Sequence, residues 1–268
     1  MIKITMRAVC VLAAATACAV LTACGSDNAQ TDSSAKQPIS HQDATSGESQ
    51  HPASGQSPAT VPIGEVSGNP KAASAVQPWA NDLVGGDMDR LVGNCWTIEP
   101  SNARAMYADK DGILAALAQP GADGQFAVLW KGPVRTVSLR RSEIASGYAC
   151  PRVYATGARD TLTDGDARYV VRRYLSRVIG KPVNQDDIES KYRLACAGSA
   201  VDNNPDMLSG STGFLEGEMS SRTLASPDPQ APKHEVTVPV TNSAGVNQPA
   251  VFTVDYGSEG NCISNITR

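Results

Sequence analysis

Thr163–Pro182 reads TDGDARYVVRRYLSRVIGKP, the most legible element of the chain. At 100° per residue, Ala167, Val170, Val171, Tyr174, Leu175 and Val178 share one half of a helical wheel. Arg168, Arg172, Arg173 and Arg177 occupy the other half. Thr163 with Asp166 fits a capping box, and Gly180 with Pro182 a stop, so a helix is expected over Asp166–Ile179. Such a helix must bury its apolar half against another element, and alternating segments on either side supply one.

Upstream, Trp79–Val92 carries a helical apolar face broken at Gly85-Gly86, and Asp111 is placed to cap a helix over Ile113–Ala118. Phe126–Trp130, Val134–Leu139 and Tyr148–Tyr154 read as strands, with a turn at Lys131-Gly132-Pro133. Downstream, a short helix is expected over Gln185–Leu194, then strands over Glu235–Thr241, Ala250–Tyr256 and Cys262–Ile266. Helices interleaved with antiparallel strands give an α+β class, an antiparallel sheet packed with several helices. A helix-backed curved sheet of the nuclear-transport-factor-2-like kind is one form that this pattern admits.

Cys95, Cys150, Cys196 and Cys262 lie 55, 46 and 66 residues apart along the chain. Those spacings are too wide for the short pairs that zinc sites use, so two disulfides are expected, with three possible connectivities. Their contexts select among the three. Cys95 and Cys196 each follow an apparent helix (DMDRLVGNC, ESKYRLAC), whereas Cys150 and Cys262 each open a strand after a Ser/Gly turn (SGYAC, SEGNC). Cys95–Cys150 and Cys196–Cys262 are therefore expected, dividing the domain into two halves that resemble a duplication.

The first quarter of the chain has a different character. Lys3 and Arg7 precede a small-apolar run, Val9–Leu21, which is too short to cross a bilayer as a permanent helix. Leu21-Thr22-Ala23-Cys24-Gly25 follows and resembles the lipobox of bacterial lipoprotein precursors. The resemblance covers about 25 residues and no family resemblance extends beyond them. It implies removal of a signal peptide, 1–23, and a diacylglyceryl group on the Cys24 thiol, which anchors the protein to the outer face of a cell membrane. Two or three acyl chains suffice for stable anchoring. The Ala/Arg-rich, Lys-poor composition resembles that of high-GC Gram-positive, actinobacterial proteins.

Residues 24–75 then form the lipidated cysteine and a polar stretch rich in Ser, Gly, Gln, Asp, Ala and Pro, expected to be a disordered tether. About 50 such residues span roughly 40 Å in root-mean-square terms. His41 and His51 fall within it as solvated spacers. The folded domain is expected over 76–268.

Nothing in this domain spells out a catalytic set. Its one histidine, His234, lies in the lead-in to a strand and reads as exposed, and no G-x-S-x-G elbow accompanies it. Asp109-Lys110-Asp111-Gly112 and Asp202-Asn203-Asn204-Pro205-Asp206 fall short of a calcium loop and read as a helix cap and a turn. No metal or cofactor is expected. A net charge of −4 and 5% aromatics give no reason to expect nucleic acid.

Charge is unevenly placed, however: Lys131–Lys181 holds nine arginines and two lysines against four acids, and from Val201 onward eight acids face three basic residues. Arg135, Arg140, Arg141, Arg168, Arg172, Arg173 and Arg177 could form a patch for an anionic partner, or they could neutralise the acidic C-terminal region. The expected function is a non-enzymatic binding or accessory module of the cell envelope whose partner is a protein, a lipid or a glycan. An envelope hydrolase with carboxylates placed only by the fold is the alternative.

Overall fold

The computed structural model describes residues 60–226, 232–257 and 260–268. The leader, Cys24, His41, His51 and the tether as far as residue 59 lie outside the described residues. The folded body starts earlier than the composition suggested. Val61 and Val66 are buried, and α1 (Pro70–Gly85) already packs Ala72 into the core. This segment buries small side chains at irregular spacing, which is why it reads as tether.

After α1 come α2 (Met88–Asn94), α3 (Pro100–Tyr107) and α4 (Lys110–Leu117). The cap of α4 is Asp109, whose carboxylate accepts from the Gly112 amide, and Asp111 sits in the first turn instead. Then β1 (Ala122–Asp123), β2 (Ala127–Lys131), β3 (Arg135–Arg140) and β4 (Arg152–Ala155) form an antiparallel meander, with the one-turn helix α5 (Arg141–Ile144) between the last two strands. Trp79, Leu91, Tyr107, Ile113, Leu117, Trp130, Val137 and Leu139 belong to one core cluster.

The second half is built on α6 (Asp164–Val178). Thr163 and Asp166 make the capping box that the sequence indicates, and Gly180 follows in a left-handed conformation, φ 71°. After the one-turn helix α7 (Ala200–Asn203), β5 (Gly213–Phe214), β6 (Ser220–Leu224), β7 (Lys233–Thr241), β8 (Asn247–Gly257) and β9 (Gly260–Thr267) form a second antiparallel sheet. Its order is β5-β7-β8-β9, with β6 pairing along the other end of β7. Along β7 burial alternates strictly, placing His234, Val236, Val238 and Val240 inward. Val170, Val171, Leu175, Val236, Phe252, Val254 and Ile263 belong to a second core cluster.

The fold is thus α+β with two antiparallel sheets, and the described strands divide between them without forming one curved sheet. Both disulfides are present, Cys95–Cys150 and Cys196–Cys262. Their contexts match the expectation only in part. Cys95 caps α2, but residues 185–194 form no helix. There the Glu189 carboxylate accepts from the amides of Leu194 and Ala195, and the chain runs on to bridge Ile263 of β9. The amides of Asp187, Ile188, Lys191 and Tyr192 bond backbone carbonyls in turns. The Glu189 side chain takes the last amides that a continuing helix would have bonded to its own carbonyls. The halves also differ in plan: four helices precede a short-stranded sheet in the first, and one long helix precedes long strands in the second.

Candidate functional site

The charged half of α6 is only partly open to solvent, and through Arg173 it touches the first half of the domain. Arg173 is 5% exposed and holds the buried carboxylate of Asp187, with Nη2 to Oδ1 at 2.6 Å and Nε to Oδ2 at 3.2 Å. Arg177 joins the same carboxylate. The Arg173 guanidinium also lies over the Trp96 ring, 5.1 Å from its centroid, and donates to the Thr97 carbonyl. One turn earlier, the Tyr169 hydroxyl donates to the Trp96 carbonyl at 2.6 Å.

At its N-terminus α6 is tied across again through Asp166. Its carboxylate accepts from Arg152 of β4, from Asn102 of α3 and from Thr163. Burial pushes the Asp166 carboxyl up, but the Arg152 charge and these hydrogen bonds outweigh it and hold the group below the usual carboxylate range. Burial likewise works to discharge Arg152, and Asp160 and Asp166 together hold it above its ordinary value. Asp160 also accepts from the Tyr256 hydroxyl of β8 at 3.0 Å.

Beside this polar seam is a cleft of about 480 Å³. Thr97–Glu99, Arg140, Ser142, Glu143, Cys150 and Arg152 line it from the first half, and Asp166, Tyr169, Val170 and Arg173 from α6. Glu189–Leu194, Asp202 and Asn261 complete it. A volume of this size suits a small molecule. At its edge Glu143 is 9% exposed, and its carboxylate accepts from the Cys150 amide at 3.2 Å. Burial raises the Glu143 carboxyl above the usual range despite that bond and the nearby arginines.

Arg140 stands where β3 passes into α5. Its guanidinium lies 5.7 Å from the centre of the Tyr256 ring, and its nearest carboxylate, Asp160, is 3.6 Å away. That separation is beyond hydrogen-bond range. Nη2 of Arg140 and Oδ1 of Asn261 are enclosed with no hydrogen-bond partner among the described residues.

The seven arginines expected as one patch are dispersed. Arg140 and Arg173 line the cleft, and Arg168 and Arg172 line a separate hollow of about 270 Å³. Arg135, Arg140, Arg141, Arg172, Arg173 and Arg177 pair with Asp109, Asp160, Asp123, Glu216, Asp187 and Asp187 respectively, and Arg177 reaches Glu189 as well. Arg168 donates to the Ser221 hydroxyl. Of these acids only Glu216 belongs to the acidic C-terminal region, so neutralisation is mostly local.

His234 is a further correction: it is 3% exposed, and its Nδ1 lies 2.8 Å from Asp164 Oδ1. The contact lowers the Asp164 carboxyl. This is the geometry of a base held by an orienting acid, but Nε2 is enclosed and has no hydroxyl or thiol partner among the described residues. The pair fastens β7 to the start of α6.

Asp109 and Asp202 act as a helix cap and as a partner of Arg193 and the Gly198 amide. Among the described residues no group of three or more His, Cys, Asp or Glu side chains is placed to hold a metal, and no helix is long and apolar enough to cross a membrane. Sequence reasoning passed over Glu143, Arg152, Asp160, Asp187, Tyr256 and Asn261, which carry no motif and converge only through the fold. No family model, curated protein or solved structure matches this chain.

Proposed function

We propose that this chain is an exported bacterial lipoprotein, anchored through Cys24 on the outer face of a membrane, whose domain is a non-enzymatic binding module of the cell envelope. The cleft between the two halves takes the ligand. The lipobox-like LTACG segment supports the anchor, and two disulfides accord with an oxidising compartment. The observation that carries the binding reading is a 480 Å³ cleft beside unmatched polar atoms on Arg140 and Asn261, walled by side chains already fixed by ion pairs and hydrogen bonds. A site so braced loses little freedom when a ligand enters.

A hydrolase reading has one feature in its favour. Glu143 is pushed up and Asp166 held down within the same cleft, the split that an acid and a base require. Against it, both oxygens of Asp166 are occupied by Arg152, Asn102 and Thr163, which makes this carboxylate a poor base for activating water.

Fractionation of cells expressing Cys24→Ser tests the anchor. Release of the domain or accumulation of uncut precursor is expected, and normal maturation with membrane retention would refute it. Incorporation of labelled fatty acid into the wild type, lost in the variant, would separate acylation from mere membrane association.

A further inference from the structure

We infer that the cleft is an oxyanion site in which Arg140 receives a carboxylate or phosphate group of a small ligand. The inference rests on the cleft being the binding site and names the chemistry it selects.

An enclosed guanidinium donor without a hydrogen-bond acceptor is costly, and among the described residues Nη2 of Arg140 is in that position. Its side chain is 22% exposed and its Nη2 is enclosed and unpartnered among the described residues. Asp160, at 3.6 Å, pairs with it by charge without a hydrogen bond, and that carboxylate also serves Arg152 at 3.0 Å and the Tyr256 hydroxyl at 3.0 Å. The guanidinium is nevertheless held in place. It stacks on Tyr256 on one side, and on the other it occupies the space that a Cβ at Gly260 would need, since such a carbon would fall 1.9 Å from Nη1. A planar fork fixed in this way, with donors to spare, matches the two oxygens of a carboxylate or phosphate.

The neighbours in the cleft suit an anion. The exposed Ser142 can donate its hydroxyl, and the Asn261 amide donates once its oxygen and nitrogen, which are nearly interchangeable in shape, exchange places. Glu143, the acid beside Ser142, has its carboxylate turned to the Cys150 amide, which donates to it at 3.2 Å. The other cations of the wall are committed, Arg152 to Asp160 and Asp166, Arg173 to Asp187, Arg193 to Asp202 and Lys191 to Asp186. Among the described cations of the wall, this leaves Arg140 with a donor that has no hydrogen-bond partner.

The test titrates the disulfide-bonded full chain with inorganic phosphate, acetate and glucose at constant ionic strength, following the Arg140 side-chain and Asn261 amide resonances. Saturable shifts with phosphate or acetate are expected, with affinity weakened at least tenfold in Arg140→Gln. Because Arg140 also packs against β8 and β9, Ser142→Asp provides a surface variant that should weaken binding as much by placing a negative charge beside the site. No saturable shift with either anion, or anion binding unaltered in both variants, would overturn the assignment. Glucose alone moving these resonances would overturn the oxyanion while leaving the cleft as a binding site.

Discussion

The two halves share a recipe, one sheet with helices, one apolar cluster and one disulfide, yet distribute it in opposite ways. The first invests in helices: α1 to α4 enclose Trp79, Tyr107 and Trp130 over strands of two to six residues, and Cys95 and Cys150 are buried. The second invests in strands: β7, β8 and β9 run nine, eleven and eight residues over a single long helix, and Cys196 and Cys262 sit half-buried at the β9 edge. Neither half covers both sides of α6. Its apolar side completes the second core, while Asp166, Tyr169 and Arg173 on its other side reach Arg152, Trp96 and Thr97 of the first half, so the seam is polar and keeps an open cleft.

The largest effects expected are on the disulfides. Loops of 55 and 66 residues predict about 4 kcal/mol each in the chain-entropy model. Replacing the buried Cys95–Cys150 pair with alanines also leaves a cavity, so denaturant midpoints should fall further for it than for Cys196–Cys262. Graded reduction followed by alkylation and peptide mapping should open the half-exposed Cys196–Cys262 first. Equal rates at the two bridges would remove this distinction between the halves.

Asp187→Ala attacks the seam itself. It leaves Arg173 buried without its carboxylate and should cost about 3 kcal/mol, read by urea denaturation. The loss should be strongly non-additive with Arg173→Met, which removes the stranded charge. Additive losses would mean that the two groups do not act as a pair.

Thr163→Ala, which removes the cap of α6, should cost about 1 kcal/mol. A loss of several kcal/mol would show that Thr163 does more than cap the start of the helix.

The smallest effect is one of pH. The raised Glu143 carboxyl binds its proton more tightly in the folded state, so its contribution is complete below the ordinary glutamate value, about 4.3, and is lost as pH rises through the folded value. Glu143→Gln should therefore gain stability relative to wild type as pH climbs through that window. Asp166 acts in the opposite sense: its contribution is present above the ordinary aspartate value and is lost as pH falls through its lowered folded value. A constant difference between wild type and Glu143→Gln across the window would contradict the burial argument.

The sequence announces elements whose signals are local. The Thr163–Asp166 cap and the 3.6-residue stripe define α6, and alternation defines β7 and β8. The disulfide pairing is legible although one of its supports fails, because Cys196 follows a side-chain-stabilised loop and no helix. The α3 helix is hidden by its length and its glutamate cap, with only Ala103 and Tyr107 buried. Arg173 is the instructive case. Its place on the wheel marks it as polar, and polarity alone does not distinguish a solvated arginine from one buried against Asp187, a residue in a loop read as helix. The cleft is less legible still, since Thr97, Arg140, Arg173, Tyr192 and Asn261 come from separate segments and share no spacing.

The most direct measurement is native mass spectrometry of the mature protein drawn from its own envelope, compared with Arg140→Gln prepared in the same way. The account predicts a non-covalent small anionic ligand on the wild type that the variant has lost. An unliganded mass for both proteins, or the same ligand retained by both, would contradict it.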